Sequence, residues 1–261
     1  MQTPGKVERK GTTSRRDFFK IVAAGGAISA AALAGCSLVQ ENQPEEATFI
    51  AAVKGYDDRL KIHLLAGFKE LGLTTDILAG KRIMLKPNLV EPHKGAGHIN
   101  THPLVVWAAI AAFYSLGAAE VIVAEGSGHR RDTLFVLEES GLADVLTEDR
   151  VPFVDLNNDE VLMVANQGTQ TGLRHLVLPQ ELFKADVVVS MAKMKTHHWA
   201  GVTLTMKNLF GLMPGAFYGW PKNVLHAAGI QESIVDINTT ERPHIAIVDG
   251  IVGMEGDGPI M

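Results

Sequence analysis

Cysteine is almost absent from this chain. Cys36 is the only one in 261 residues, so the rest of the chain has no thiols for a disulfide, a zinc–thiolate centre or an iron–sulfur cluster. Several catalytic signatures are missing too: there is no Walker A loop, no Gly-x-Ser-x-Gly elbow, no His-Glu-x-x-His pair and no internal repeat. These absences remove several hydrolase and nucleotide-triphosphatase classes. What remains is an ordinary globular balance, 46% hydrophobic and 20% charged, enough for one sizeable core or two small ones.

The first 36 residues read as an address. Ser14-Arg15-Arg16-Asp17-Phe18-Phe19-Lys20 matches a twin-arginine export pattern, and an Ala/Gly-rich apolar run, Ile21 to Leu33, follows it. That run is too short to span a bilayer of about 30 Å. Leu33-Ala34-Gly35-Cys36 then forms a lipobox in which Cys36 becomes the lipidated first residue of the mature chain. The expectation is a signal peptide over 1–35, a polar and acidic tether over 36–48, and a folded domain over 49–261. The partners expected from this address are the twin-arginine translocase, the lipoprotein-processing machinery and a bacterial membrane surface, reached through acyl chains at the periplasmic or outer face. Removing the six Lys/Arg and two Asp/Glu of residues 1–35 from 24 and 29 leaves 18 and 27, a net charge of −9. Nucleic acid is excluded as a partner for such a surface.

Within the domain, Phe49 to Lys54 reads as a short strand and Tyr56 to Leu71 as an amphipathic helix stopped by Gly72. Apolar runs at Arg82–Lys86, Glu120–Ala124, Pro152–Leu156, Asp186–Ser190 and His244–Val248 read as strands. Between the first two lies a helix over Pro103–Leu116, with Thr101 or His102 as cap, and Asn157–Pro179 leaves room for a hairpin. Strands alternating with helices predict an α/β fold: a mostly parallel sheet with helices on both faces. Polar and Gly-rich residues cluster after the strands, at Lys86–Asn88, Glu125–His129, Asn157–Asn158, Lys193–His198 and Asp249–Gly258. A ligand crevice is therefore expected at the strand carboxyl ends.

Met191 to Pro214 concentrates the chemistry. Three lysines and two adjacent histidines beside an apolar strand repel one another unless an anion sits among them. Lys86, Asn88, Lys193, Thr196, Lys207 and Asn208 are the candidate anion-binding groups; extended backbone puts Lys193 and Lys195 on one side. His197, with Lys195 and Asp249, is the candidate for proton transfer near an anionic substrate. His197, His226, Glu255 and Asp257 are the candidate ligands of a divalent metal. Glu125-Gly126-Ser127-Gly128 lacks the third glycine of a dinucleotide loop.

Taken together, Lys86-Pro87-Asn88, His102-Pro103, Lys193-Met194-Lys195-Thr196-His197, Val202 to Gly211 and Asp249-Gly250-Ile251 with Met254 to Pro259 resemble the DUF362 family over residues 49–261. Some members carry a ferredoxin-like cysteine segment, for which this chain has no cysteines. Members also continue beyond the Gly/Pro motif at which this chain stops, so a C-terminally truncated chain is expected. Two functional readings stay open. One is an enzyme acting on a small anionic compound with a metal or pre-loaded cofactor; the other is a non-catalytic lipoprotein that binds such an anion.

Overall fold

The computed structural model describes residues 47–92, 97–128 and 131–260. The export signal with Arg15 and Arg16, the lipidation site Cys36 and most of the tether lie outside the described residues.

Eight strands are described: β1 (Arg82–Lys86), β2 (Glu120–Glu125), β3 (Phe153–Asp155), β4 (Val161–Ala165), β5 (His175–Pro179), β6 (Val187–His197), β7 (Gly201–Thr203) and β8 (Ile245–Met254). Six of them form one sheet in which β3-β2-β1-β6 are joined in parallel, β8 pairs parallel with β6, and β7 pairs antiparallel with the end of β6. β4 and β5 make the separate antiparallel hairpin expected within 157–179. The mostly parallel α/β architecture is thus the one the strand–helix alternation predicts.

Period-2 alternation splits the strands between two cores. Ile83, Leu85, Val121, Val123, Val187 and Val189 face one cluster, whereas Met84, Ile122, Ala124 and Val188 face the other. The first core is closed by α1 (Leu60–Glu70) and α3 (Pro103–Ser115), with the short α2 (Thr75–Leu78), α4 (Thr133–Glu139) and α5 (Leu142–Glu148) beside them. α3 is buried nearly all round through Val106, Ala109, Ile110 and Phe113. His102 caps it, its Nδ1 accepting the Leu104 N–H at 3.2 Å, and Pro103 occupies the first turn, where a missing N–H costs nothing.

The opposite core is closed by the hairpin and by a run of short helices: α6 (Glu181–Lys184), α7 (Thr205–Asn208), a 3-10 turn at Leu209–Leu212, α8 (Gly215–Tyr218), α9 (Asn223–Ala227) and α10 (Ile230–Thr240). The Asp236 carboxylate on α10 accepts from Asn166 Nδ2, the Gln170 and Thr171 N–H groups and the Thr171 hydroxyl, which fastens the hairpin loop to this layer.

Two local expectations are corrected. Phe49–Lys54 is irregular and largely exposed rather than a strand, because no sheet edge is paired with it. Lys193 to His197 is not a loop after the strand. β6 continues through it, since β8 pairs along one side as far as Lys195, and β7 pairs across Lys195, Thr196 and His197. Lys195 is partnered by both β8 (Met254) and β7 (Thr203), so β7 occupies the side of β6 that β1 has vacated.

Candidate functional site

The extension of β6 has a chemical consequence. Alternation turns Lys193, Lys195 and His197 inward together, all three buried, while Met194 points out at 47% exposure. Five lysines in all gather at the carboxyl edge of the sheet: Lys86 at the end of β1, Lys193 and Lys195 in β6, Lys207 in α7 and Lys222 before α9. All are buried except Lys207, which is partly exposed. Burying an ammonium is costly unless its charge is met.

Two of the five meet a carboxylate. Lys86 Nζ donates to Glu125 Oε2 at 2.7 Å, and to the Pro87 carbonyl oxygen at 3.1 Å. The other oxygen of Glu125 accepts the Gly126 N–H at 2.8 Å, and Asn208 Nδ2 clasps the Lys86 carbonyl oxygen and Ser190 Oγ, both at 3.0 Å. Burial pushes the Lys86 pKa down and Glu125 opposes it. This pair also explains Gly211, where a Cβ would collide with Glu125 Oε1 and stand 2.6 Å from Lys86 Nζ.

Lys193 belongs to an adjoining network. It faces Asp249 in the β6–β8 register, and its Nζ donates to Asp249 Oδ2 at 3.0 Å and to Tyr56 OH at 2.9 Å. Tyr56 OH donates in turn to Asp249 Oδ1 at 3.0 Å, and the His102 N–H donates to Asp249 Oδ2 at 3.0 Å. The Tyr56 ring stacks on His102 with centroids 3.7 Å apart. Burial and the Asp249 charge raise the Tyr56 pKa, so the phenol stays protonated and donates.

The other three lysines have no carboxylate within ion-pair distance among the described residues. Lys195 Nζ donates to the Ile99 carbonyl oxygen at 2.7 Å; burial and then the Lys207 charge push its pKa down to about 7. Lys222 Nζ donates to Asn157 Oδ1 at 2.9 Å and to the Met213 carbonyl oxygen at 2.6 Å, and burial lowers its pKa to about 7. Its backbone is left-handed, φ 68°, an unfavourable conformation for a side-chain-bearing residue. Lys207 Nζ makes no hydrogen bond to any described residue and sits 4.4 Å from the centroid of the Phe210 ring. Burial and the Lys86 charge lower its pKa to about 8.

His197 lies in the same cluster. Its Nδ1 accepts the Trp199 and Ala200 N–H groups at 3.2 and 3.3 Å, which leaves the proton on Nε2. Burial first, then Lys207, push its pKa down to about 3, so the ring is neutral at ordinary pH and acts as a hydrogen-bond donor. Two polar atoms close to this rim are buried without partners among the described residues, Asn88 Oδ1 and Thr196 Oγ1.

Of the residues singled out by sequence, Lys86, Lys195, Lys207, Asn208 and His197 come together, and Lys193 with Asp249 forms the adjoining network. The four candidate metal ligands do not assemble. Glu255 and Asp257 are exposed in the turn after β8, His226 packs against Phe210 and Trp199 with centroids at 5.4 and 5.2 Å, and His197 turns into the lysine cluster. No group of three or more His, Cys, Asp or Glu among the described residues is arranged to hold a metal ion.

Sequence reasoning put Glu125 and Asn157 in the crevice loops without giving either a role, and it passed over Tyr56 and Lys222. Glu125 was legible in one respect: a carboxylate ending an apolar strand, next to a strand ending in Lys86, is placed for an ion pair.

An α/β sheet whose carboxyl rim carries more buried lysines than carboxylates defines the class. The chain belongs to the DUF362 family, a domain of unknown function, which matches residues 83–261. A thylakoid-associated protein of Synechocystis sp. is 29% identical over 206 residues, which are 76% of this chain and 61% of that protein. A crystal structure of a protein from Thermotoga maritima is similar at a TM-score of 0.44 and 16% identity, covering 72% of this chain and 48% of that one.

Proposed function

We propose that the carboxyl rim of the sheet binds a small anionic compound, a phosphate or a carboxylate, between Lys195 and Lys207. The observation that carries this reading is the charge imbalance: five lysines converge while only Glu125 and Asp249 are ion-paired with them. An anion there meets the charge that the fold leaves uncompensated and restores the ammonium form of the lysines. Lys86 and Lys193, already paired, shape the site, and Asn88, Thr196, Asn208 and the Nε2–H of His197 supply polar contacts around it. The test is thermal unfolding in the presence of inorganic phosphate, acetate and chloride at constant ionic strength. Stabilisation by phosphate or acetate but not chloride, lost in Lys195→Met and Lys207→Met, is expected; equal response of wild type and variants sinks the reading.

The same proposal places the domain outside the cytoplasm, anchored through Cys36. The order of Arg15-Arg16, apolar run and lipobox supports it, and the Synechocystis relative is described as thylakoid-associated, which is a membrane setting. No helix among the described residues is long and apolar enough to cross a membrane. Cell fractionation tests it: Cys36→Ser should move the protein to the soluble fraction, and Arg15→Lys with Arg16→Lys should retain it in the cytoplasm.

A further inference from the structure

Lys207 differs from the other four lysines of the rim. Lys86 and Lys193 are fixed by carboxylates, Lys195 donates to the Ile99 carbonyl oxygen, and Lys222 donates to Asn157 Oδ1 and the Met213 carbonyl oxygen. Lys207 Nζ has no acceptor among the described residues and rests on an aromatic face. Three features of an amine that attacks carbonyl carbon meet in it. The nitrogen is not committed to an acceptor, the residue as a whole is partly exposed, and it lies within reach of other cations able to hold a carboxylate beside it.

The geometry points to Lys207 as an imine-forming amine whose substrate class is the small 2-oxo acids, with Lys195 binding the carboxylate. This deepens the anion-site reading and rests on it. In the step, Lys207 Nζ adds to the 2-carbonyl carbon, forming the C–N bond. The carbonyl oxygen leaves as water with two of the three protons of the starting ammonium. The third proton stays on nitrogen, giving a protonated imine with no change in oxidation state. Burial and the neighbouring Lys86 charge favour the neutral amine that attacks, while Glu125, already bound to Lys86, opposes them. Lys195, Lys222 and His197 also feel the Lys207 charge. His197 Nε2–H is a donor available to the carbonyl oxygen as it becomes hydroxyl.

The test is trapping: the full chain is incubated with pyruvate and sodium cyanoborohydride at pH 7.5, and the N-(1-carboxyethyl)lysine product is mapped by peptide mass spectrometry. Labelling at Lys207 is expected to exceed that at the exposed Lys54 and Lys69 by at least about tenfold, because burial and the neighbouring Lys86 charge favour the neutral, attacking form of the Lys207 amine. Acetate should compete, and Lys207→Arg should abolish the product. Mapping the wild-type chain keeps the test valid should that variant fold poorly. Uniform labelling of surface lysines overturns the inference. Stabilisation by pyruvate with no adduct at Lys207 overturns it too but leaves the anion site standing, whereas neither stabilisation nor labelling defeats both.

Discussion

Lys86 and Lys207 come within reach of each other's charge, yet the fold treats them differently. Lys86 is fully buried with its ammonium 2.7 Å from Glu125, while Lys207 has a benzene face and no acceptor among the described residues. The same contrast separates Lys193, locked between Asp249 and Tyr56, from Lys195 and Lys222, which meet only neutral oxygens. Paired lysines build the rim. Unpaired lysines leave it positively charged, and that charge is a reason to bind something.

The contrast breaks most severely at the pairs. Glu125→Gln leaves Lys86 buried without a counter-charge and should cost about 3–5 kcal/mol in denaturant unfolding, with Lys86→Met in the same chain restoring much of the loss. A double mutant no better than Glu125→Gln alone would mean that the pair is not the source of the cost. Gly211→Ala drives a methyl into that same pair and should cost about 1–3 kcal/mol by the same measurement. Tyr56→Phe removes the hydroxyl that joins Lys193 to Asp249; a loss of about 1 kcal/mol is expected, and none at all would place the Lys193 network outside the stabilising set.

At the unpaired lysines the sign reverses. Lys195→Met and Lys207→Met remove charge that no carboxylate offsets without stranding an ionic partner, so the ligand-free protein should hold its stability or gain up to about 1 kcal/mol at pH 7. The pH dependence follows from the same groups. Their folded pKa values, about 7 for Lys195 and Lys222 and about 8 for Lys207, lie below the 10.5 of a free lysine. The unfolded chain therefore binds more protons between pH 7 and 10.5, and these groups make stability rise with pH across that window. Equilibrium unfolding at pH 7, 8 and 9 should show a slope that is shallower in Lys195→Met and in saturating phosphate.

Much of this architecture was legible in the sequence. The apolar runs at Arg82–Lys86, Glu120–Ala124 and Asp186–Ser190 were readable as strands, and the extended reading of Lys193 and Lys195 put them on one side. The glycine of the Lys-Asn-Leu-Phe-Gly run was visible but not its reason, which is the proximity of Glu125 from a different strand. The continuation of β6 through Lys193 to His197 was hidden because polar residues there are stabilised by partners on β7 and β8, not by local propensity. Tyr56 was hidden for the same reason, since its partners lie 137 and 193 residues away. Lys222 had no local signature either; only the fold brings its ammonium to Asn157.

The most direct test of the unpaired-lysine account is phosphate binding by calorimetry at pH 8, repeated in buffers of different ionisation enthalpy to count protons. Binding with net proton uptake by the protein, diminished in Lys195→Met and Lys207→Met, is the predicted result, because the bound anion raises lysine pKa values that lie near that pH. Binding without proton uptake, or with uptake unchanged in both variants, would contradict it.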